Sequence, residues 1–425
     1  MTIAVFLFAL LGAMALGMPI AFALLVCGVA LMFQLDNFDA QIIAQNLVNG
    51  ADSFPLLAVP FFMLAGEFMN AGGLSRRIVD LAMAIIGHKR GGLGYVAVFA
   101  AIIMASMSGS AVADTAAVGA LLIPMMRKAG YDVNRSAGLI ASGGIIAPVL
   151  PPSIPFIIFG VAGGVSISKL FLAGIVPGLM MGVVLIFTWW LVTRKETLTV
   201  SPRQSLREVG RCFVRGFWAL MIPLIIVGGI KLGVFTPTEA GVVAAVYSFV
   251  VATFVYRELK LSQLYGLFLA AGKTTAVVMF LVAAAGVSAW LITVADLPQA
   301  VISLLEPLIG NKILLMIVIM VIVVVVGTAL DLVPTILILT PVLMPVVKQA
   351  GIDPVYFGVL FIMNNAIGLI TPPVGTVLNV ICGVSKITMD DVMKGVWPFL
   401  LAHLLLLAAL TLFPQLVLVP MKWWM

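Results

Sequence analysis

The sequence predicts an all-α, multi-pass membrane protein with two inverted repeats. Each repeat would hold a helical hairpin that enters the membrane and turns back, and a transmembrane helix broken near its middle. Three observations carry the prediction. Of 425 residues, 63% are hydrophobic and only 9% are charged. The chain matches itself at one constant spacing. Its basic residues fall very unequally on the two copies.

A soluble domain carries about a quarter of its residues as charges, so this chain must turn most of its surface toward lipid. A span needs about 20 apolar residues, and apolar runs occur at 2–33, 170–192, 213–230, 240–256, 313–326 and 396–414. Residues 1–425 therefore read as a single membrane domain. The first run lacks a basic leading region and a small-residue cleavage site, so it is expected to stay as the first helix. Cys27, Cys212 and Cys382 are far apart, and they and the histidines His88 and His403 show no metal or disulfide spacing. The net charge of +6 comes from loop lysines and arginines. That is the pattern of a bacterial inner-membrane protein and does not suggest nucleic acid.

The repeat emerges when the chain is slid along itself. At a spacing of 221, Pro124 meets Pro345, Ala129-Gly130 meets Ala350-Gly351, and Asp132 meets Asp353. Leu139 meets Leu360, Pro151-Pro152 meets Pro372-Pro373, Gly174 meets Gly395, and Pro177 meets Pro398. Shared leucines would mean little, but prolines aligned without a gap do not arise from apolar composition. The copies are assigned to 54–193, with a hairpin at 92–128 and a broken helix at 135–164, and to 216–420, with a hairpin at 313–348 and a broken helix at 355–385.

Arg76, Arg77, Lys89, Arg90, Arg127, Lys128 and Arg135 lie in the first copy, while the matching stretch of the second keeps only Lys312 and Lys348. Basic loops stay in the cytoplasm, so one motif that is base-rich once and base-poor once is an inverted repeat. Between the copies, 194–215 is a basic cytoplasmic linker. Within it Arg203, Arg207, Arg211 and Arg215 recur every four residues, as an interfacial helix on anionic headgroups or as an ordinary cytoplasmic loop. Trp423 and Trp424 read as interface anchors.

The chemistry is expected where helices are interrupted. The first hairpin turns at Ser106-Met107-Ser108-Gly109-Ser110, followed by Asp114-Thr115; the second turns at Gly327-Thr328-Ala329-Leu330-Asp331. The breaks are Ala147-Pro148-Val149-Leu150-Pro151-Pro152-Ser153 and Gly368-Leu369-Ile370-Thr371-Pro372-Pro373. Proline cannot donate to the helix ladder, and broken backbone at membrane depth persists only where it lines a cavity or binds something. Half-helix N-termini attract anions, and freed carbonyls and hydroxyls suit Na⁺. The expectation is one substrate site flanked by two cation sites. Asp114 and Asp331 are carboxylates at the tips, functional by default at membrane depth or else capping and solvated. Thr115 and Asn364 are further candidates for the substrate; the pair Asn364-Asn365, just before the second break, could serve substrate or could instead bond between helices.

These motifs resemble the large membrane subunit of tripartite ATP-independent periplasmic (TRAP) transporters over essentially the whole chain. The resemblance rests on Ser108-Gly109-Ser110 with Asp114-Thr115, Gly143-Gly144 with Pro148, Pro151-Pro152-Ser153 with Pro155, and Thr371-Pro372-Pro373 with Gly375. It implies an elevator-type carrier with a scaffold and a transport domain, driven by Na⁺. Cargo would be an organic acid: a sugar acid such as sialic acid or diketogulonate, or a C4-dicarboxylate. A periplasmic substrate-binding protein would deliver it. A small four-helix membrane subunit is expected as a separate polypeptide, because the chain opens on the first large-subunit helix. Carried over, two or more Na⁺ ions would be held by Ser108, Ser110 and Pro148 and by Gly327, Asp331, Gly368 and Thr371. Ser153, Thr376 and Asn379 would lie nearer the substrate.

Two rival readings remain. A stand-alone Na⁺/dicarboxylate symporter would share the hairpins but need no binding protein. An intramembrane protease would use two aspartates, but Asp331 follows Thr-Ala-Leu rather than Gly-x-Gly, and neither histidine lies near Ser108 or Ser153. The partners that proton transfer requires are absent, so no enzyme is expected.

Overall fold

In the computed structural model, which describes residues 2–36, 38–196 and 202–424, the described residues form helices and connecting turns with no strand. The first apolar run, expected as one helix, is two: α1 (Thr2–Ala15) and α2 (Ile20–Gln34), packed on each other. Gly17 takes a left-handed backbone at φ +79 and Pro19 follows, a pair that no helix continues through. Next come α3 (Ala40–Ala51), a short 3₁₀ turn at Phe54–Leu57, α4 (Ala58–Ala71) and α5 (Leu74–Ile86). Helix α5 buries Leu74, Ile78, Leu81 and Ala82 along one face, the stripe of an amphipathic helix. Then follow α6 (Gly92–Ser108), α7 (Ala111–Lys128), α8 (Val133–Gly144), α9 (Ile154–Gly163) and α10 (Ile167–Thr193).

The second half comprises α11 (Leu206–Lys231), α12 (Pro237–Val250) ending in a π turn at Val251–Val255, α13 (Leu264–Val294) and α14 (Leu297–Ile309). It continues with α15 (Lys312–Ala329), α16 (Leu332–Gln349), α17 (Pro354–Gly368), α18 (Thr376–Ser385), α19 (Met389–Leu412) and α20 (Gln415–Trp424). Among the described residues, eight helices are long and apolar enough to cross a membrane, α15 and α16 with 18 residues each.

Helices α7 and α16 start and end 221 positions apart, and α6, α8, α9 and α10 start within one residue of that spacing from α15, α17, α18 and α19. The recurring residues have backbone reasons. Asp132 and Asp353 are N-caps, accepting from Arg135 N at 3.0 Å and from Tyr356 N at 3.0 Å. Gly130 (φ +79) and Gly351 (φ +63) close α7 and α16 in the left-handed region. The peptide bonds Pro151-Pro152 and Pro372-Pro373 are both cis.

The copies are interlocked. Helix α7 packs on α18 and α16 on α9; α4 packs on both α12 and α13. Such an exchange is what a pseudo-two-fold axis produces. The unequal basic residues place that axis in the membrane plane, which makes the repeats inverted. Arg127 donates to Ser385 O at 2.8 Å, tying the end of the first hairpin to the half-helix of the second copy.

Of the linker's basic residues, Arg207, Arg211 and Arg215 lie on the first turns of α11, which continues into the apolar stretch and is long and apolar enough to cross a membrane. Ser205 caps it, accepting from Glu208 N at 3.2 Å, and no helix breaker separates the basic turns from the apolar ones. Linker positions 197–201 lie outside the described residues, as does the side chain of Trp424; Trp423 is exposed.

Candidate functional site

In the first copy, α6 ends at Ser108, the chain turns through Gly109 at φ +63, and Ser110 caps α7. The Ser108 hydroxyl donates to Asp114 Oδ1 at 2.6 Å and accepts from Ser110 N at 3.1 Å. Asp114 and Thr115 are buried, and among the described residues Asp114 Oδ2 and Thr115 Oγ1 have no hydrogen-bond partner. The tip lies against the first break: a Cβ on Gly109 would meet Pro152 O at 2.7 Å. There Ser153 caps α9, accepting from Phe156 N at 3.2 Å, and its hydroxyl donates to Pro148 O. Ser108, Ser110, Pro148 and Ser153 therefore belong to one neighbourhood, with Asp114 behind Ser108.

The second copy repeats the plan with different side chains. Asp331 is the exposed N-cap residue of α16 and makes no capping bond. The Thr376 hydroxyl donates to Asp331 Oδ1 at 3.4 Å, and Val374 N donates to Thr328 O at 3.4 Å, so tip and break are joined across the hairpin. Thr371 donates to Ile367 O at 2.8 Å and Asn379 to Val374 O at 3.0 Å. Helices α15 and α17 touch backbone to backbone, since a Cβ on Gly368 would sit 2.7 Å from Gly327 O.

Asn364 is buried, and its amide donates to Met320 O at 2.6 Å, bridging α17 to α15. Replacing it with Leu should lower stability by about 0.5–1.5 kcal/mol, because the hydrogen bond that ties α17 to α15 is lost. Thermal unfolding in detergent checks this; an unchanged midpoint would exclude a bridging role.

Asn365 is the residue that sequence reasoning did not assign. Its amide donates to Phe361 O at 3.0 Å while Oδ1 is buried without a partner among the described residues. That oxygen lies 3.4 Å from where a Cβ on Gly327 would be. Only its place beside the second break hinted at this. The two tips thus present carbonyl, hydroxyl, amide and carboxylate oxygens, hard ligands suited to a small cation. The start of α9, capped by Ser153, and the start of α18 supply partial positive charge for an anion.

The family described as the DctM component of tripartite ATP-independent periplasmic transporters matches residues 7–416. The chain is 62% identical over 423 residues to the 2,3-diketo-L-gulonate TRAP transporter large permease protein YiaN of Escherichia coli, covering 100% of both. It is 37% identical over 409 residues to the sialic acid TRAP transporter large permease protein SiaM of Vibrio cholerae, covering 96% of both. It is 38% identical over 393 residues to the C4-dicarboxylate TRAP transporter large permease protein DctM of Pseudomonas aeruginosa, covering 92% of both. Among solved structures, it shares the fold of the Alcanivorax borkumensis YdaH transporter, with a TM-score of 0.65 at 14% identity, covering 88% of this chain and 89% of that one.

Proposed function

The chain belongs to the DctM-component family of TRAP transporters as a large membrane permease, not an enzyme, and from that premise we propose that it imports a sugar acid together with sodium ions. The observation that carries the reading is the paired arrangement of hairpin tips against helix breaks. Oxygen ligands gather at both tips, and half-helix N-termini lie beside them, that of α9 capped by Ser153.

One cation is assigned to Ser108, Ser110 and Pro148, and another to Gly327, Asp331, Gly368 and Thr371, with the Asn365 amide oxygen added. Ser153, Thr376 and Asn379 are assigned to the anion, with Asp114, Thr115 and Asn364 supporting its walls. Helices α6 to α9 and α15 to α18 would move as one transport body against the scaffold helices, carrying the site across the membrane as an elevator. The 62% identical relative is named for 2,3-diketo-L-gulonate, which favours a diketo sugar acid as cargo over a C4-dicarboxylate. The partners are a small four-helix membrane subunit and a periplasmic binding protein that hands over the anion.

Proteoliposomes holding the permease and its small subunit test this with labelled 2,3-diketogulonate. Uptake is expected only with the loaded binding protein outside and an inward Na⁺ gradient. Uptake without the binding protein would favour the stand-alone symporter. Equal uptake when K⁺ replaces Na⁺ would remove sodium coupling.

A further inference from the structure

The outer walls of the two hairpins carry equivalent grooves that differ in charge. One lies between α6 and α10, with a volume of about 660 Å³, and includes Tyr95, Phe99, Val183, Ile186, Phe187 and Trp190. The other, of about 380 Å³, lies between α15 and α19 and includes Met320, Leu404, Leu407, Ala408 and Thr411. Those five residues stand 221 positions after Phe99, Val183, Ile186, Phe187 and Trp190. The inverted repeat has therefore built the same groove twice, one opening toward each leaflet.

Basic residues line only the first groove; the lysine nearest the second, Lys312, donates to Gly351 O at 2.8 Å. Lys89 and Arg90 line the first, and Arg194 lies over the Trp190 ring at 5.8 Å. The positions matching Lys89, Arg90 and Arg194 in the second copy are Gly310, Asn311 and Gln415. Arg90 donates to the backbone carbonyl of Glu196, while the Glu196 carboxylate is engaged by Arg135. Among the described residues, no carboxylate pairs with Lys89, Arg90 or Arg194.

We propose that the α6–α10 groove is a binding site for an anionic glycerophospholipid of the cytoplasmic leaflet. Its acyl chain would lie along Phe99, Val183, Ile186 and Phe187, and its phosphate would sit between Lys89, Arg90 and Arg194. The chemistry fits on both counts: an apolar trough takes a chain, and a basic pocket at the cytoplasmic ends of spanning helices takes an anionic headgroup. Aromatic Tyr95 and Trp190 stand at the boundary between them, where amphipathic rings are favoured. A free phosphate would use the basic mouth but leave the trough unfilled. The lipid would bear on the hairpin that forms half of the candidate transport site, but its binding does not depend on which solute is carried.

The test is lipid retention by the full chain with its small subunit. Complexes from nanodiscs of equimolar phosphatidylglycerol and phosphatidylethanolamine are washed in detergent, and the retained lipid is measured by mass spectrometry. Lys89→Gln with Arg90→Gln should cut retained phosphatidylglycerol by about tenfold or more, each basic residue near an anionic lipid being worth roughly fivefold. Phosphatidylethanolamine should be unchanged. Arg207→Gln with Arg211→Gln, which removes the same charge from α11, should retain the wild-type amount. The proposal is overturned if both double variants lose lipid equally, which would be diffuse attraction to the basic face. It is also overturned if neither variant loses lipid, or if retention disappears when the small subunit binds, which would make the groove a protein interface.

Discussion

Replacing Asp331 with Ala should abolish sodium-driven uptake while leaving the folded protein intact. The carboxylate is exposed and makes no capping bond to α16, so the usual cost of losing a helix cap does not arise. Among the described residues, the carboxylate's one hydrogen-bond partner is the Thr376 hydroxyl, at a long 3.4 Å. A stability change within about 0.5 kcal/mol is therefore expected, as for most exposed positions. The effect on transport should be far larger. Asp331 would be the sole anionic ligand of the second cation, and losing even an outer partner of a bound metal costs roughly 10–100-fold. Uptake should fall by at least about a hundredfold at fixed Na⁺, while Asp331→Glu keeps a measurable rate with a raised sodium requirement. Proteoliposome uptake against sodium concentration reads both. Wild-type uptake by the Ala variant would take Asp331 out of the cation site.

The largest loss of stability should come from Gly395→Ala. Helix α8 crosses α19 through a pair of glycines: a Cβ on Gly395 would lie 1.9 Å from Asn134 O, and one on Gly138 would lie 2.4 Å from Gly395 O. The opposing atoms are backbone, so no rotamer change relieves the clash and the two helices must separate. Close approach through small residues is how membrane helices gain packing contacts, and overfilling such a contact costs about 1–3 kcal/mol or more. A lowered unfolding midpoint and an aggregated fraction on size exclusion are expected. Gly272→Ala is the control, since a Cβ there meets nothing within 4 Å. Equal behaviour of the two variants would mean that the α8–α19 crossing is not close-packed.

Much of this architecture was readable from local features. The prolines, glycines and aspartates that align at 221 are caps and breaks whose job is set by their own backbone, so they recur wherever the helix ends recur. The hairpin tips were legible for the same reason, because Ser108-Gly109-Ser110 and the stretch from Gly327 to Asp331 interrupt apolar runs. The division of 2–33 into two helices was harder to see, since a Gly-Met-Pro stop in apolar sequence changes composition very little. The basic residues of α11 left two readings open because periodic charge looks alike on a helix lying on the membrane and on one entering it.

Interruptions, periodicity and the sign of loop charges are properties of neighbouring residues, and from them follow the helical class, the duplication and the inversion. Which hairpin faces which break is another matter. The exchange of α7 onto α18 and α16 onto α9, the glycine crossing of α8 with α19, and the Asn364 bridge to Met320 join residues far apart in the chain. No local preference encodes such contacts; they exist because interlocking the two copies buries backbone and small side chains that neither copy could bury alone.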